Sequence, residues 1–304
     1  MKIGVSLTSA YPLVMEPRQA GRNLIERAAA VRRAGLDSLF VGDYHVTQSH
    51  YFQNVPLLGR LLAEVGDLPV GALFVLPLFH PVLLAEQIGT LAALAEGPFT
   101  LVTGMGDGEQ FPPFGVSLKE RPSRLVEGQE IIRRLLAGER VTHSGRHYTL
   151  DDVAIHPTPP EPVPIWVSAT ARPAVQLAAV IGDGWLAGPW SCGEDLITQA
   201  NIYRQACDVT GRTPYLAIRR DVYVGESDRE AEEATARVVA AGYRSFDREA
   251  MVIGGPDTVV AEFRRLHDLG FRYILVRHLV LKQDLVLASY RRLGSEVLPA
   301  VRDL

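Results

Sequence analysis

Strand-like and helix-like hydrophobic patterns alternate along the whole chain. Short runs of apolar residues, many of them β-branched, are followed by longer segments with apolar residues three or four positions apart. Strands are predicted at residues 3–7, 39–41, 70–76, 100–103, 165–167, 185–187, 216–224 and 273–277. Helices are predicted at residues 23–34, 57–65, 81–95, 122–137, 229–241 and 258–269, between Ala171 and Gly182, and in a closing segment through Val297. Residues 138–164 are predicted to be irregular.

About eight strands, each followed by a helix, over 304 residues predict a (β/α)8 TIM barrel with insertions. No linker or repeat divides the chain, so residues 1–304 are expected to form one domain. The alternative fold is an open doubly wound sheet. That fold would be expected to carry a G-x-G-x-x-G motif after the first strand, where none occurs. In a barrel, functional side chains lie at the carboxyl ends of the strands.

Charge and cysteine content narrow the function classes. The formal net charge is −4 and no apolar run reaches the length of a membrane span, so neither nucleic acid nor a membrane is expected as a partner. Cys192 and Cys207 are the only cysteines, too few for a disulfide framework. No group of His, Asp and Glu has the spacing of metal ligands. A cytoplasmic protein without a metal is therefore predicted.

The turn after the predicted strand at residues 165–167 is a candidate phosphate site. Ser168, Ala169, Thr170 and Ala171 are small residues that lead directly into a helix. The first N–H groups of a helix are unpaired, and the helix dipole favours an anion there. Many strand-to-helix turns look similar, so the turn gains weight only from its neighbours. The Gly182-Asp183-Gly184-Trp185 segment is interpreted as the turn into the next strand.

The ends of the second and fourth predicted strands carry candidate proton-transfer groups. Asp43, Tyr44 and His45 follow the second strand and place an acid, a phenol and an imidazole on one loop. The alternative is that Asp43 is a cap and His45 a solvated residue. The fourth strand runs into Gly104-Met105-Gly106-Asp107-Gly108-Glu109-Gln110, where alternate glycines allow close approach to a ligand.

The third predicted strand ends in an apolar wall that includes Leu73 and Phe74. Such a wall can lie against a flat aromatic ring, although a core strand would look the same. No G-x-S-x-G elbow is present, so the sequence offers no support for serine hydrolase chemistry.

The order of these motifs resembles that of the bacterial luciferase-like monooxygenases and their deazaflavin-dependent oxidoreductase relatives. The resemblance extends over nearly the whole chain. The matching segments are Val41-Gly42-Asp43, Val75-Leu76-Pro77, His80-Pro81, Gly104-Met105-Gly106-Asp107, Gly145-Arg146-His147-Tyr148, Gly182-Asp183-Gly184-Trp185 and Gly254-Gly255-Pro256-Asp257. The resemblance implies a TIM barrel with a flavin-type cofactor at the carboxyl face.

The resemblance also implies roles for individual residues. The cofactor phosphate would lie at Ser168, Ala169 and Thr170, and its ring would rest on Leu73 and Phe74, joined by a cis peptide bond. Asp43 and the loop of Gly104, Met105, Gly106, Asp107 and Gln110 would complete the cofactor site. Asp107 stands where some deazaflavin dehydrogenases carry a catalytic acid. Tyr44 stands where those enzymes often have His, and His45 is shifted by one position, so Tyr44, His45 and Asp107 are the candidate catalytic residues.

Between the two cofactors of such proteins, the deazaflavin coenzyme F420 is favoured over FMN. The acid in the glycine-rich loop favours F420. So does the bias of the basic residues, of which only Lys2, Lys119 and Lys282 are lysine, because this bias is typical of GC-rich actinobacteria. Basic residues for the oligoglutamyl tail of F420 would be Arg18, Arg121 and Arg172, although each could equally be a solvated arginine.

The predicted function is hydride transfer between F420 and a small organic substrate. The substrate is expected to be selected by residues 46–56, by residues 188–196 and by the mouth near Arg277 and His278, where Tyr51, Phe52 and Trp190 favour a largely apolar one. The alternatives are an FMN-dependent two-component monooxygenase that works with a separate flavin reductase, and a non-catalytic barrel that binds a flavin or another ligand. A homodimer is expected by likeness to the family alone.

Overall fold

Eight parallel strands close into a barrel. The computed structural model describes all 304 residues. Its strands are β1 Lys2–Leu7, β2 Ala10–Tyr11, β3 Ser38–Val41, β4 His50–Tyr51, β5 Val70–Val75, β6 Phe99–Gly104, β7 Val141–Ser144, β8 Thr149–Val153, β9 Ile165–Ala169, β10 Gly184–Ala187, β11 Leu216–Val224, β12 Met251–Gly254 and β13 Tyr273–His278. The barrel order is β1-β3-β5-β6-β9-β10-β11-β13, and β13 pairs with β1. The predicted TIM barrel is confirmed.

Helices cover the outside of the barrel. They are α1 Pro17–Arg33, α2 Asn54–Val65, α3 Pro81–Leu94, α4 Arg121–Leu136, α5 Arg172–Ile181, α6 Gly193–Thr210, α7 Asp228–Ala240, α8 Pro256–Asp268, α9 Gln283–Arg292 and α10 Leu298–Val301. A π-helical turn at Leu293–Val297 joins α9 to α10. None of these helices combines the length and apolar character needed to cross a bilayer.

Two apolar clusters hold the layers together. The larger one lies between the helices and the outer face of the barrel, and it includes Phe74. The smaller one fills the barrel interior with Phe40, Val102, Trp166, Leu186, Ala217, Tyr273 and Leu275. Phe40 stacks on Trp166 with 5.6 Å between ring centroids, and Trp166 meets the edge of Tyr273 at 5.2 Å. At Gly71 an added Cβ would lie 2.2 Å from the Phe40 ring, so this aromatic layer requires glycine on β5.

The structure adds several elements to the predicted pattern, among them the short antiparallel pair of β2 and β4. Residues 138–164 are not wholly irregular, because they contain the antiparallel β7–β8 hairpin. The carboxylate of Glu127 on α4 accepts the N–H groups of His147 and Tyr148 and so fixes this hairpin to the barrel. The helix α6 and the strand β12, which extends the sheet beside β11, were not predicted. The strand β12 has only four residues, and α6 has few buried apolar positions, so both patterns are weak.

Candidate active site

A cavity of about 380 Å³ opens at the carboxyl ends of the barrel strands. Phe40, Val102, Leu186 and Leu275 of the interior cluster form its apolar floor. Five of the predicted site residues line it, namely Asp43, Tyr44, Leu73, Asp107 and Ser168. The sequence motifs of four different strand ends therefore meet in one place.

The loop after β3 separates the roles of Asp43, Tyr44 and His45. The side chain of Asp43 is fully buried, and its Oδ2 accepts the N–H of Val75 at 2.8 Å. His45 Nε2 lies 3.1 Å from Asp43 Oδ1, in a geometry that makes no hydrogen bond. The His45 ring packs on Phe79 at 5.7 Å and does not line the cavity, whereas Tyr44 does. Tyr44 is therefore the proton-carrying group of this loop that can reach a ligand.

Tyr44 lies in an acidic environment. Burial, together with the negative charges of Asp107 and Glu109, raises the pKa of Tyr44 above its usual value, against the opposite effect of Arg244. The phenol is therefore protonated at neutral pH. It can donate a hydrogen bond or a proton to a substrate oxygen.

The loop after β6 is tied to the loop after β3. Gly106 has a φ of +65°, and an added Cβ there would lie 2.3 Å from Val75, so the turn that presents Asp107 requires glycine. Arg121 donates to the Gly106 carbonyl at 2.9 Å. Gln110 is buried and accepts the His45 N–H at 3.0 Å.

The other predicted residues of the loop after β6 lie away from the cavity. Met105 packs on the core, and Gly104 ends β6. Of this loop, only Asp107 lines the cavity.

The end of β5 differs from what the resemblance implies. Leu73 faces the cavity, but Phe74 points to the outer core, where it meets Phe79 at 5.3 Å. The only cis peptide bond lies at His156–Pro157, so the expected cis bond between Leu73 and Phe74 is wrong for this structure. The strand pairs regularly with β6 through Val75, and a non-proline cis bond would cost about 3 kcal/mol.

The turn after β9 presents free backbone donors. The N–H groups of Thr170 and Ala171 have no acceptor within the protein. The helix α5 lacks a side-chain cap, and Pro173 has no N–H to offer. The Ala169 carbonyl accepts the Trp185 indole N–H at 2.9 Å. The preceding residue, Ser168, lines the cavity.

A flavin-type cofactor with a phosphate fits these residues. The free N–H groups of residues 170–171 are suited to an anion, and Leu73 and Val102 offer apolar surface to a ring. At Gly188 an added Cβ would lie 2.9 Å from Thr170 Oγ1, so the turn is kept clear of a side chain.

The opposite side of the cavity carries arginines, of which only Arg277 was expected near the mouth. Arg219 on β11, Arg277 on β13 and Arg244 after α7 all line it. The buried Asp221 lies 3.3 Å from Arg219 and 3.3 Å from Arg244, and it accepts the Tyr243 hydroxyl at 2.8 Å. The signal was the run Arg219-Arg220-Asp221 within a predicted strand, since charged residues in a barrel strand are costly unless they serve a site.

Other basic residues lie elsewhere. Arg18 and Arg172 are exposed and Arg121 packs over Phe111, so none of the three arginines proposed for a cofactor tail lines the cavity. His278 follows Arg277 but is buried against Tyr290, with 4.4 Å between ring centroids. Burial, and then the charge of Arg27, lowers the pKa of His278 to about 3, so it is neutral.

Comparison with known proteins identifies the family. The model of the luciferase-like monooxygenase family matches residues 1–250. The chain belongs to this family. An F420-dependent glucose-6-phosphate dehydrogenase of Nakamurella multipartita is 28% identical over 318 residues, which cover 92% of this chain and 93% of that protein. The protein of the same name from Beutenbergia cavernae is 35% identical over 176 residues, and here the match spans only about half of each, 55% of this chain and 52% of the relative.

Solved structures of the family share the fold. The monooxygenase RslO1 of Streptomyces bottropensis superposes with a TM-score of 0.87 at 21% identity, over 98% of this chain and 99% of that one. An F420-dependent secondary alcohol dehydrogenase in complex with an F420–acetone adduct superposes with a TM-score of 0.81 at 19% identity, over 99% of both chains. The predicted family and the oxidoreductase class of this luciferase-like barrel are confirmed.

Proposed function

We propose that the protein transfers a hydride between coenzyme F420 and a small organic substrate. The observation that carries this function is the position of a protonated phenol, Tyr44, beside the carboxylate of Asp107 at the apolar cavity. When bound, F420 supplies hydride chemistry and reacts poorly with oxygen. The protein then has to bind the cofactor, exclude water and move one proton at the substrate oxygen.

Tyr44 and Asp107 are the proposed proton-transfer pair. Tyr44 donates a hydrogen bond to the substrate oxygen, and Asp107 accepts or returns the proton as the oxygen changes charge. His45 lies behind Tyr44 and next to Asp43, which it helps to hold against Val75. We therefore propose His45 as a positioning residue and assign it no contact with the substrate.

The cofactor-binding part of the site is proposed to include Asp43, Leu73, Ser168, Ala169 and Thr170, together with the loop from Gly104 to Gln110. Phe74, Met105, Ala169 and Gln110 would act through the backbone or by packing, because their side chains do not line the cavity. The full-length similarity to F420-dependent dehydrogenases supports F420 over FMN. Glucose 6-phosphate, which those relatives are named for, is one candidate substrate.

Titration of the purified protein with each cofactor tests the proposal. Binding of F420 at micromolar concentration, with FMN at least tenfold weaker, is the expected result. Calorimetry and tryptophan fluorescence both report it. Tight FMN binding without F420 binding would favour the two-component monooxygenase, and binding of neither would favour the non-catalytic barrel.

The remaining predictions concern assembly and location. A homodimer and, for the FMN alternative, a separate reductase rest on likeness to the family, whereas the cytoplasmic location rests on composition and the single domain on the lack of a linker or repeat in the sequence. Light scattering of the purified protein checks the dimer directly.

A further inference from the structure

Arg219, Arg244 and Arg277 line one side of the cavity, which we name the basic side. The three arginines carry more positive charge than the one carboxylate beside them, that of Asp221, can neutralise. Asp221 Oδ1 lies 3.3 Å from Arg219 Nε, and Asp221 Oδ2 lies 3.3 Å from Arg244 Nη1. Arg277 has no carboxylate partner and makes one hydrogen bond, from Nε to Thr8 Oγ1 at 3.3 Å. One carboxylate thus faces three guanidinium groups. The other carboxylates that line the cavity are Asp43 and Asp107, and we name their side the acidic side. Asp43 accepts the Val75 N–H, and Asp107 lies beside Tyr44.

Arg219 keeps its charge in a poorly solvated position. Burial lowers the pKa of Arg219 to about 10, Asp221 opposes this change, and Arg277 and Arg244 add to it. The group is therefore protonated at neutral pH. Its Nε and Nη2 atoms are buried and have no hydrogen-bond partner within the protein. Buried N–H groups of a charged guanidinium that make no hydrogen bond are costly, and Asp221 is shared with Arg244, so an anion between the arginines would remove that cost.

Arg244 stands on a strained turn, residues 242–246, which we name the arm. Gly242, Arg244 and Ser245 have φ values of +72°, +49° and +56°. Two of these residues are not glycine, so the backbone conformation persists only because tertiary contacts hold it. Tyr243 and Phe246 pack against the main apolar cluster, and Arg244 Nη1 donates to Asp221 Oδ2 at 3.3 Å. Tyr243 donates to Asp221, and the Phe246 ring packs on Trp190 with 6.0 Å between centroids.

We propose that the arm brings Arg244 over an anionic group of the substrate, a carboxylate or a phosphate, that binds between Arg219 and Arg277. Asp221 and Trp190 hold the arm at the mouth of the cavity. The assignment of the anion to the substrate rests on the proposed function. It is favoured over the cofactor phosphate because the free N–H groups of residues 170–171, at the end of β9, already provide a separate anion site. Arg244 and Tyr44 line the same cavity, so one molecule can present its anion to Arg244 and its reacting oxygen to Tyr44. This proposal adds an anionic group to the largely apolar substrate that the sequence favours.

Inorganic phosphate and the cofactor-free protein give a direct test. Trp190 is exposed whereas Trp166 and Trp185 are buried, so acrylamide quenching of tryptophan fluorescence reports mainly on the arm. Phosphate should reduce the quenching constant at least twofold, and calorimetry should give its Kd. Arg244→Ala and Arg277→Gln should each weaken phosphate binding at least tenfold. The exposed Arg229→Ala, which lies outside the cavity, is the matched control and should change nothing. Trp190→Phe should remove the quenching signal while phosphate still binds.

Thermal unfolding of each variant shows whether it is folded, and Arg244 is a tolerant site because its side chain is 37% exposed. Phosphate binding that is absent in the wild type, or unchanged in Arg244→Ala, would overturn the proposal. A Kd for F420 that rises tenfold in Arg244→Ala would also overturn it, because the arginines would then serve the cofactor. If F420 does not bind at all but phosphate binds through Arg244, the proposed hydride transfer fails and the anion site stands.

Discussion

The two sides of the cavity are built in opposite ways. On the acidic side, Asp43, Asp107 and Gln110 lie in two loops that hydrogen bonds and a tight glycine turn tie to each other and to β5. On the basic side, Arg219, Arg244 and Arg277 surround one buried carboxylate and retain donors without partners. Loops that are fixed to each other by hydrogen bonds can orient a reacting atom. A site whose charges are not satisfied is prepared to receive a ligand of opposite charge.

Removing the proton-transfer groups should have the largest effect on activity. In Asp107→Asn and Tyr44→Phe we expect kcat to fall by about 10²–10⁴-fold, because a positioned acid or base contributes that much. The Kd for F420 should change far less than kcat, since Leu73 and the turn from Ser168 to Thr170, which are proposed to hold the ring and the phosphate, are left in place. Steady-state kinetics and calorimetry measure the two quantities separately.

Glu109→Gln is the matched control for these variants. Glu109 lies in the same loop as Asp107 but does not line the cavity. Equal losses of kcat in Asp107→Asn and Glu109→Gln would mean that the acidic side acts only through its overall charge.

Removing the carboxylate of the basic side should mainly affect stability. In Asp221→Asn the arginines lose their internal counter-ion, so we expect the free energy of unfolding to drop by about 3 kcal/mol. Asp152→Asn breaks the exposed pair with Arg140 and should cost less than about 1 kcal/mol. Urea unfolding followed by circular dichroism measures both. Similar losses in the two variants would show that Asp221 is as well solvated as a surface carboxylate.

The pH dependence of stability tests whether His278, the neighbour of Arg277, adds a positive charge to the basic side. His278 is neutral in the fold, because burial lowers its pKa to about 3, but it titrates near 6.5 when unfolded. The unfolded state therefore binds more protons between these values, and stability is lost as the pH falls below about 6.5. The loss from this group should reach about 1.4 kcal/mol per pH unit. Unfolding midpoints measured between pH 7 and pH 5 should fall less in His278→Phe than in the wild type.

The exposed His80→Gln serves as the control and should follow the wild-type pH dependence. If the stability of His278→Phe also follows the wild-type pH dependence, His278 is charged in the folded protein. The basic side would then include His278 as well as the three arginines.

The acidic side could be read from sequence because each of its residues lies in a short motif directly after a strand. Asp43, Asp107 and Ser168 were found in this way, and the barrel followed from the alternation of the patterns. The basic side could be read only in part. Arg277 ends a predicted strand and was expected near the mouth, whereas Arg219 lies within a strand and Arg244 lies on a turn between α7 and β12. Only barrel closure brings these distant positions together.

The hydrophobic pattern also did not predict whether a given strand side chain faces the barrel interior or the helices outside. Leu73 and Phe74 are both apolar and adjacent, so the sequence does not say which one faces the ligand. The register of β5 against β6 decides it and sends Phe74 to the outer core. The length of a short strand such as β12 likewise depends on its neighbour β11 rather than on its own residues.

The packed rings of Phe40, Trp166 and Tyr273 have a kinetic consequence. They fill the barrel below the cavity, so a ligand has no exit on that side and must leave by the opening through which it entered. Product and incoming substrate therefore compete for a single passage. A product that retains its anionic group would inhibit the enzyme competitively with the substrate. Product release would then limit the turnover rate when the product accumulates.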